Sequence, residues 1–199
     1  MEITIEQVVA LFKKKNYVLT EFNPFGIRYN DNIDLFTDVR GLLRKVGGAW
    51  ELKTWPQTTK PSTKALKQPV NPLGCALLAE GQYLNSWVIG LHFNHNALKQ
   101  CAKIKLFRIN TKDGNIDITH LTPIDSGPEC GIDLHGVWAG NIPDWDGTYP
   151  KVDACGDWSE GCQVMARPHE NEDFVNYCKA SGLKYFNYAL FNITDLQNL

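Results

Sequence analysis

The stretch LLRKVGGAWELKTW, residues Leu42–Trp55, predicts a β-hairpin and indicates the fold class. Gly47 and Gly48 separate two strand-like runs, and two residues that accept positive φ suit the tight turn of a hairpin. From Asn23 to Arg108 the chain consists of short runs of β-branched and aromatic residues, separated by turn sequences such as NPFG and NPLG. The run AKIKLFRI alternates lysines with apolar residues, as a half-buried strand does. The sequence therefore predicts a mainly β (α+β) protein.

Helices are predicted near both ends of the chain. Thr4 and Gln7 have the spacing of a capping box and precede an amphipathic stretch that ends near Asn16. The segment NEDFVNYCKASG has acidic residues in its first turn and Gly182 in the position of a C-terminal stop. A strand, KYFNYALFNI, is expected after this second helix.

A proline-rich segment interrupts the predicted strands. PQTTKPSTKALKQPVNP, residues Pro56–Pro72, carries four prolines and few apolar residues, so we expect a long surface loop that could wall a groove. The length of 199 residues favours one compact core. We expect an N-terminal helix and linker over residues 1–22 and one catalytic domain over residues 23–199.

The charge and cysteine content exclude several classes of partner. The chain has 20 Lys and Arg against 22 Asp and Glu, a net charge of -2, so no global charge favours nucleic acid or anionic membranes. No segment has the roughly 20 consecutive apolar residues of a membrane span, and the N-terminus does not resemble a signal peptide. We therefore expect cytoplasmic synthesis, six mostly reduced cysteines, no cofactor or bound metal, and a monomer.

Two glycine-marked segments suggest a catalytic pair. DLHGVWAG places His135 before Gly136, and WSEGCQVM places Cys162 after Gly161. A cysteine attacks carbonyls as a thiolate, so it needs a nearby imidazole that takes its proton. Gly161 would allow a tight turn that exposes the sulfur and aims amide N–H groups at an oxyanion, and Gly136 would allow substrate or a facing loop to approach His135.

These segments resemble the histidine and S-x-G-C boxes of the L,D-transpeptidase catalytic domain, whose members cross-link or trim peptidoglycan stem peptides. The succession GIRYNDN, TTKPS, NPLGCALLAEGQY, GLHFNHNALKQ, GIDLHG and SEGCQVM, across residues 26–165, is similar to a phage-encoded branch of that superfamily. The resemblance covers most of the chain. It implies an L,D-transpeptidase-like β-sandwich or barrel with flanking N- and C-terminal helices.

The resemblance also implies roles for individual residues. Cys162 would be the nucleophile and His135 its base, with the Gly136 carbonyl orienting the imidazole. Ser159 would brace the loop, and the N–H groups of Gly161 and Cys162 would hold the oxyanion. His92 of GLHFNHNALKQ falls at a histidine that recurs in the resembled branch, so it could line the groove or be a surface or structural residue.

The chain departs from the family at two positions beside the nucleophile. Glu160 stands where the family has a histidine, and Val164 stands where it often has an arginine. A carboxylate next to the nucleophile would raise the thiol pKa unless it is turned away or paired. Arg167 could replace the missing cation, and Glu160 and Gln163 are candidate substrate contacts.

Further candidate substrate contacts lie in an insert and on a strand. The separation of 27 residues between His135 and Cys162 exceeds that expected for the bacterial enzymes, and the insert from Val137 to Trp158 is expected to form a lid or flap. Its Trp138, Trp145 and Trp158 could stack on the substrate or pin the insert to the domain. Arg108 could clamp a stem-peptide carboxylate or simply end an exposed strand.

Three metal sites and a non-catalytic function are the alternatives. His92 and His95 could share one helical face, and Cys130, His135, Cys155 and Cys162 could form a zinc site, although no C-x-x-C spacing supports it. DWDG, from Asp144, faintly resembles a calcium loop but lacks its later ligands. A murein-binding or virion module that lost the chemistry is the non-enzymatic alternative.

The expected activity is cysteine-dependent acyl transfer on peptidoglycan stem peptides. Water as acceptor gives an endo- or carboxypeptidase, and an amine as acceptor gives a transpeptidase. The phage-like resemblance favours a murein hydrolase. We expect it to reach the cell wall after release through a partner or as a virion component.

Overall fold

The computed structural model describes residues 2–30, 33–111, 116–137, 155 and 158–199. The strands among them are β1 Phe22–Arg28, β2 Asp38–Val46, β3 Ala49–Thr58, β4 Cys75–Leu78, β5 Gly81–His92, β6 His95–Gln100, β7 Ile104–Ile109, β8 Ile124–Ser126, β9 Leu134–Gly136, β10 Gln163–Met165 and β11 Phe186–Asn192. The helices are α1 Ile5–Lys14, α2 Thr63–Lys67, α3 Pro168–Ala180 and α4 Ile193–Gln197, with a short 3-10 turn at Pro128–Cys130.

Eight of these strands close into a barrel, in the order β1-β11-β5-β6-β9-β10-β3-β2. The pairs β1–β11 and β9–β10 are parallel, and the other neighbouring pairs are antiparallel. A separate three-stranded sheet has the order β4-β7-β8. The structure is thus mainly β and contains a barrel, as expected.

The predicted hairpin is confirmed. Strands β2 and β3 pair in continuous register from Asp38 with Gln57 to Val46 with Ala49. Gly47 and Gly48 form the turn with φ of 58° and 87°, and neither has another atom near the position of a Cβ. The left-handed backbone, which glycine adopts without steric cost, therefore accounts for this pair.

The barrel interior joins the strands that lead to the two expected catalytic residues. Trp87, Leu98, Leu134 and Tyr188 are buried in one cluster with the inner face of α3. The Trp87 indole N–H donates to the Ile132 carbonyl at 2.8 Å. Because an indole nitrogen needs a buried acceptor, this bond ties the segment before β9 to the centre of the core.

The two predicted helices and the strand after the second are confirmed, with one change of boundary. Helix α1 has the capping box of Thr4 and Gln7 and packs against β1, β11 and α4 in a second cluster. Helix α3 begins at Pro168, three residues before the predicted segment, because proline is favoured in the first helical turn. Strand β11 follows, and the C-terminal α4 was not predicted.

The prediction of a surface loop over Pro56–Pro72 is wrong for most of the segment and is confirmed only for residues 68–72, which lie outside the helices and strands and are largely exposed. The first part continues β3, and Gln57, Thr58, Thr59, Lys60 and Ser62 are all buried. Their polar atoms find partners: Asp38 accepts from the N–H and the hydroxyl of Thr59, both at 2.7 Å. The segment then forms α2, which packs on β4 and β7. Hydrogen bonding thus allows a polar, proline-rich segment to lie inside the protein.

The three-stranded sheet packs on the loop that carries Cys162. The Ala76 N–H of β4 donates to the Glu160 carbonyl at 3.1 Å, and the Ser62 N–H donates to the Ser159 carbonyl at 3.0 Å. The position of this loop therefore depends on both the barrel and the second sheet.

None of the helices among the described residues has the length and apolar character needed to cross a membrane.

Replacing Trp87 with Phe tests the link between the core and β9. The variant loses the indole hydrogen bond, leaves the buried Ile132 carbonyl without its donor and opens a small void, so the free energy of unfolding should fall by about 2 kcal/mol. Urea unfolding measures this change. Trp50→Phe, on the partly exposed part of β3, is the control with a loss below about 0.5 kcal/mol. Equal losses in the two variants would contradict the proposed link.

Candidate active site

The parallel pairing of β9 with β10 brings Cys162 and His135 to one face of the barrel wall. Gln163 pairs with Leu134, and Val164 pairs with His135. Since Cys162 directly precedes Gln163, it lies beside Asp133. Side chains alternate along a strand, so Cys162 and His135 share a face. The strand spacing and rise put their Cα atoms roughly 8 Å apart, which the two side chains can bridge.

His135 is a buried imidazole in a single tautomer. It is 1 % exposed, and its Nδ1 lies 2.9 Å from the Gly136 carbonyl oxygen. Because a carbonyl only accepts, Nδ1 carries the proton and donates it. Nε2 is buried and has no hydrogen-bond partner among the described residues. The structure thus contains the contact expected of the Gly136 carbonyl, and it leaves the Nε2 lone pair able to take a proton.

Burial and the neighbouring imidazole keep His135 neutral. Removal from solvent, followed by the charge of His92, lowers the pKa of His135 to about 3. The His92 ring stacks on the His135 ring with centroids 3.9 Å apart and planes 9° apart. His92, expected to line the groove, therefore lies directly against the expected base.

Asp133 anchors the stacked pair of imidazoles. Its carboxylate accepts from His92 Nδ1 at 2.7 Å, from Lys99 Nζ and from the Gln100 N–H at 3.0 Å. Burial of Asp133 opposes its ionisation, but the hydrogen bonds from His92, Lys99 and Gln100 outweigh that effect and lower its pKa. An anion buried in this way fixes the ring of His92 and, through the stack, the ring of His135.

His92 and His95 do not share a helix. They pair with each other across the two-residue turn between β5 and β6. The His95 Nε2 lies 3.5 Å from the His135 Nδ1. Among the described residues the structure assembles no group of three or more His, Cys, Asp or Glu side chains suited to a metal. His92 and His95 thus lie close together on a hairpin rather than on one helical face, without a third metal ligand in the described part of the chain. The four residues of the proposed zinc site are not assembled, and DWDG lies outside the described residues.

Cys162 is a half-buried thiol in a protonated state. Its Sγ donates to the Gly131 carbonyl at 3.3 Å, and among the described residues no hydrogen bond joins it to His135. Burial, followed by the negative charge of Asp133, raises the pKa of Cys162 to about 12. The ammonium of Lys99 opposes this shift. In the free protein the pair is therefore a neutral thiol and a neutral imidazole.

Ser159 braces the loop before Cys162 through two hydrogen bonds. Its Oγ accepts from the Gly161 N–H at 3.1 Å and donates to the Cys162 carbonyl at 3.0 Å. This contact corrects the expected oxyanion hole, because the Gly161 N–H is already used inside the loop. The Cys162 N–H has no acceptor within the described part of the chain, so it is the amide that can hold an oxyanion.

Both glycines beside the expected catalytic residues are required by close packing. Gly161 has φ of 137°, and a Cβ there would lie 2.3 Å from the Ala76 carbonyl oxygen. At Gly136 a Cβ would lie 2.7 Å from the Asn171 Cβ of α3. The group that approaches His135 over Gly136 is therefore helix α3, rather than substrate or a loop.

The charged residues that affect the pKa of Cys162 are not those expected from the sequence. Glu160 is exposed. Burial, followed by the charge of Glu160, raises the pKa of Cys75 to about 11. The carboxylate that raises the pKa of Cys162 is instead Asp133. Arg167 is exposed and pairs with Glu170 at 2.9 Å, so it does not replace the missing cation. Lys99 is the cation that favours the thiolate.

The other candidate substrate contacts divide into accessible and inaccessible side chains. Gln163 is fully buried and bonds to the Gly161 carbonyl and the Tyr188 hydroxyl, which contradicts a substrate-binding role. Arg108 is half-buried and donates to the Gly74 carbonyl at 3.2 Å and to Cys130 Sγ at 3.5 Å. Its Nε has no partner among the described residues, so a carboxylate clamp remains a prediction.

The insert is only partly described. Trp158 is half-buried, and its backbone N–H donates to the Cys155 carbonyl at 3.0 Å. Trp138 and Trp145 lie outside the described residues, so the lid stays a prediction.

Sequence reasoning missed Asp133, Lys99 and the Gly131 carbonyl. The signal for Asp133 was present, because it precedes His135 by two residues and a strand places such residues on one face. The roles of Lys99 and Gly131 depend on pairing with distant segments and had no local signal.

No family model, curated protein or solved structure matches the chain.

The depressed pKa of His135 predicts acid-sensitive stability. An imidazole in the unfolded chain titrates near about 6.5, whereas the folded value is about 3, so only the unfolded chain gains a proton between them. The free energy of unfolding should therefore fall by up to about 1.4 kcal/mol per pH unit as the pH drops below about 6.5. Urea titrations from pH 7.5 to 5 measure the slope. His135→Gln should flatten it, and the exposed control His120→Gln should retain it; equal slopes in all three proteins would refute the buried neutral imidazole.

Substitution of Gly161 by Ala tests the packing of the nucleophile loop. The variant combines a left-handed backbone with a clash against Ala76, and we expect a loss of at least about 2 kcal/mol in unfolding free energy. Gly48→Ala is a matched control, because Gly48 has positive φ but open space around it. Its loss should be about 1 kcal/mol. The prediction fails if Gly161→Ala unfolds no more easily than Gly48→Ala.

Proposed function

We propose that this protein is a cysteine-dependent hydrolase of peptidoglycan stem peptides, with an L,D-transpeptidase-like fold. The observation that carries the chemistry is the buried His135 on the same face as Cys162. Its Nδ1–H donates to the Gly136 carbonyl, and its Nε2 has no hydrogen-bond partner within the described ranges. The substrate class rests on the resemblance of the ordered motifs. The barrel agrees with the fold that this resemblance implies.

The first chemical step transfers the acyl group to sulfur. The Cys162 S–H turns from the Gly131 carbonyl toward His135 Nε2, which takes the proton while sulfur attacks the carbonyl carbon of a stem-peptide bond. The oxyanion that forms accepts from the Cys162 N–H. The C–N bond then breaks, His135 returns the proton to the leaving amine, and a thioester remains on Cys162.

The second step determines the reaction class. Water gives its proton to His135 and attacks the thioester, and the proton then goes to the sulfur, which restores Cys162 and releases a carboxylic acid. An amine acceptor would instead form a new peptide cross-link through the same groups. We rank hydrolysis first because the motif succession resembles a phage-encoded branch.

The pKa values of the free protein define how the proton moves. A thiol pKa of about 12 and an imidazole pKa of about 3 exclude a stable thiolate–imidazolium pair in the resting site. Proton transfer must therefore accompany formation of the S–C bond. The same low pKa makes the transient imidazolium a strong acid toward the leaving amine.

A non-catalytic murein-binding module is the second candidate function. It is favoured by the Cys162 S–H, which bonds to Gly131 rather than to His135, and by its raised pKa. In this alternative the site binds a stem peptide and forms no thioester.

Carbapenem acylation separates the two functions. Members of the resembled superfamily accept these compounds as acylating substrate mimics, so the intact mass should rise by one carbapenem per chain. Cys162→Ala should abolish the adduct, because it removes the nucleophilic sulfur. His135→Gln should slow its formation by at least about 100-fold, because the base is lost.

Cys130→Ala is the matched control, since Cys130 is also half-buried and lies next to the Gly131 carbonyl that holds the Cys162 thiol. It should retain the adduct. Release of peptides from purified sacculi, lost in Cys162→Ala, would establish hydrolysis. Absence of both an adduct and peptide release, with sacculus binding intact, would favour the binding module.

A further inference from the structure

The turn of the hairpin β5–β6, next to the stacked rings of His92 and His135, contains a strained and exposed aromatic residue. Phe93 and Asn94 form the two-residue turn between β5 and β6, flanked by the pair His92 and His95. Phe93 has φ of 51°, and it is 82 % exposed. The first position of such a turn strongly favours glycine, because a side chain there costs conformational energy.

Folding alone does not account for a phenylalanine at this position. Among the described residues, the other non-glycine residues with positive φ are Asn16 and Asn85, and asparagine tolerates that region. The Phe93 ring has one aromatic contact, the edge of His92 at 4.8 Å between centroids. A residue that carries backbone strain and buries little surface points to a function outside the folded core.

The ring lies at the edge of the candidate active site. Phe93 contacts His92, and His92 stacks on His135, so the aromatic surface is about two to three residues of extended peptide from the expected base. The Phe93 ring is therefore an exposed apolar surface next to the stacked rings of His92 and His135.

We propose that Phe93 is a substrate-specificity residue that contacts the apolar side chain of a stem-peptide residue two or three positions from the scissile bond. This inference rests on the proposed function. An aromatic ring binds small alkyl side chains such as alanine methyls by excluding water from both surfaces. A glycan strand offers similar C–H surfaces, but the short distance to His135 favours the peptide.

Phe93→Gly tests this role without harm to the fold. Glycine relieves the left-handed strain, so the melting temperature should rise by about 2–4 °C. For a stem peptide without an attached disaccharide (the free stem peptide), KM should rise about tenfold while kcat stays within about twofold. The reason is that the ring contributes to binding and touches no reacting atom. Leu183→Ala, which removes an exposed apolar side chain on the segment after α3, should leave KM and kcat unchanged.

Binding measured in the Cys162→Ala background keeps the inference separate from catalysis. Calorimetry with the free stem peptide should show a tenfold weaker Kd when Phe93→Gly is added, whether or not the wild-type protein turns over. A wild-type protein without hydrolysis, but with this loss of affinity, would overturn the proposed function alone. An unchanged Kd, an effect confined to disaccharide-linked peptide, or no binding of the peptide at all would overturn the role of Phe93.

Discussion

The candidate active site depends on one structural constraint, the parallel pairing of β9 with β10 in a closed barrel. The two strands are short, and the residues that they pair are 29 positions apart in sequence. A parallel ladder with this register puts Asp133, His135 and Cys162 on one face and turns Leu134 and Gln163 into the core. A slip of one residue in either strand would exchange these faces and bury the reactive groups inside the barrel.

Burial gives this site its proton arrangement. A protein interior favours neutral forms, so His135 is held as imidazole and Cys162 as thiol. Asp133, which contacts the stacked imidazoles directly, stays charged because His92, Lys99 and the Gln100 amide donate hydrogen bonds to it. The result is a resting thiol of low nucleophilicity, and in the proposed mechanism the thiol proton moves to His135 only as sulfur attacks a substrate carbonyl. A thiol in this neutral state reacts slowly with alkylating and oxidising agents.

The sequence predicted the elements whose signals are local. The Gly47–Gly48 hairpin, the capping box of α1 and the stop of α3 follow from turn and cap chemistry within a few residues. The buried course of Pro56–Ser62 could not be predicted, because it depends on Asp38, which reaches that segment only through the pairing of β2 with β3. At the site, the glycine-flanked Cys162 and His135 were recognisable, whereas the use of the Gly161 N–H by Ser159 required coordinates.

The tautomer of His135 tests the account most directly, because both the proton acceptor and the orientation of the dyad follow from it. Nitrogen-15 NMR of histidine-labelled protein near pH 7 distinguishes a protonated ring nitrogen from a bare one by chemical shift and by coupling to carbon-bound ring protons. The account predicts a neutral His135 with the proton on Nδ1 and a bare Nε2, in wild type and in Cys162→Ala. A proton on Nε2, or an imidazolium at that pH, would contradict it.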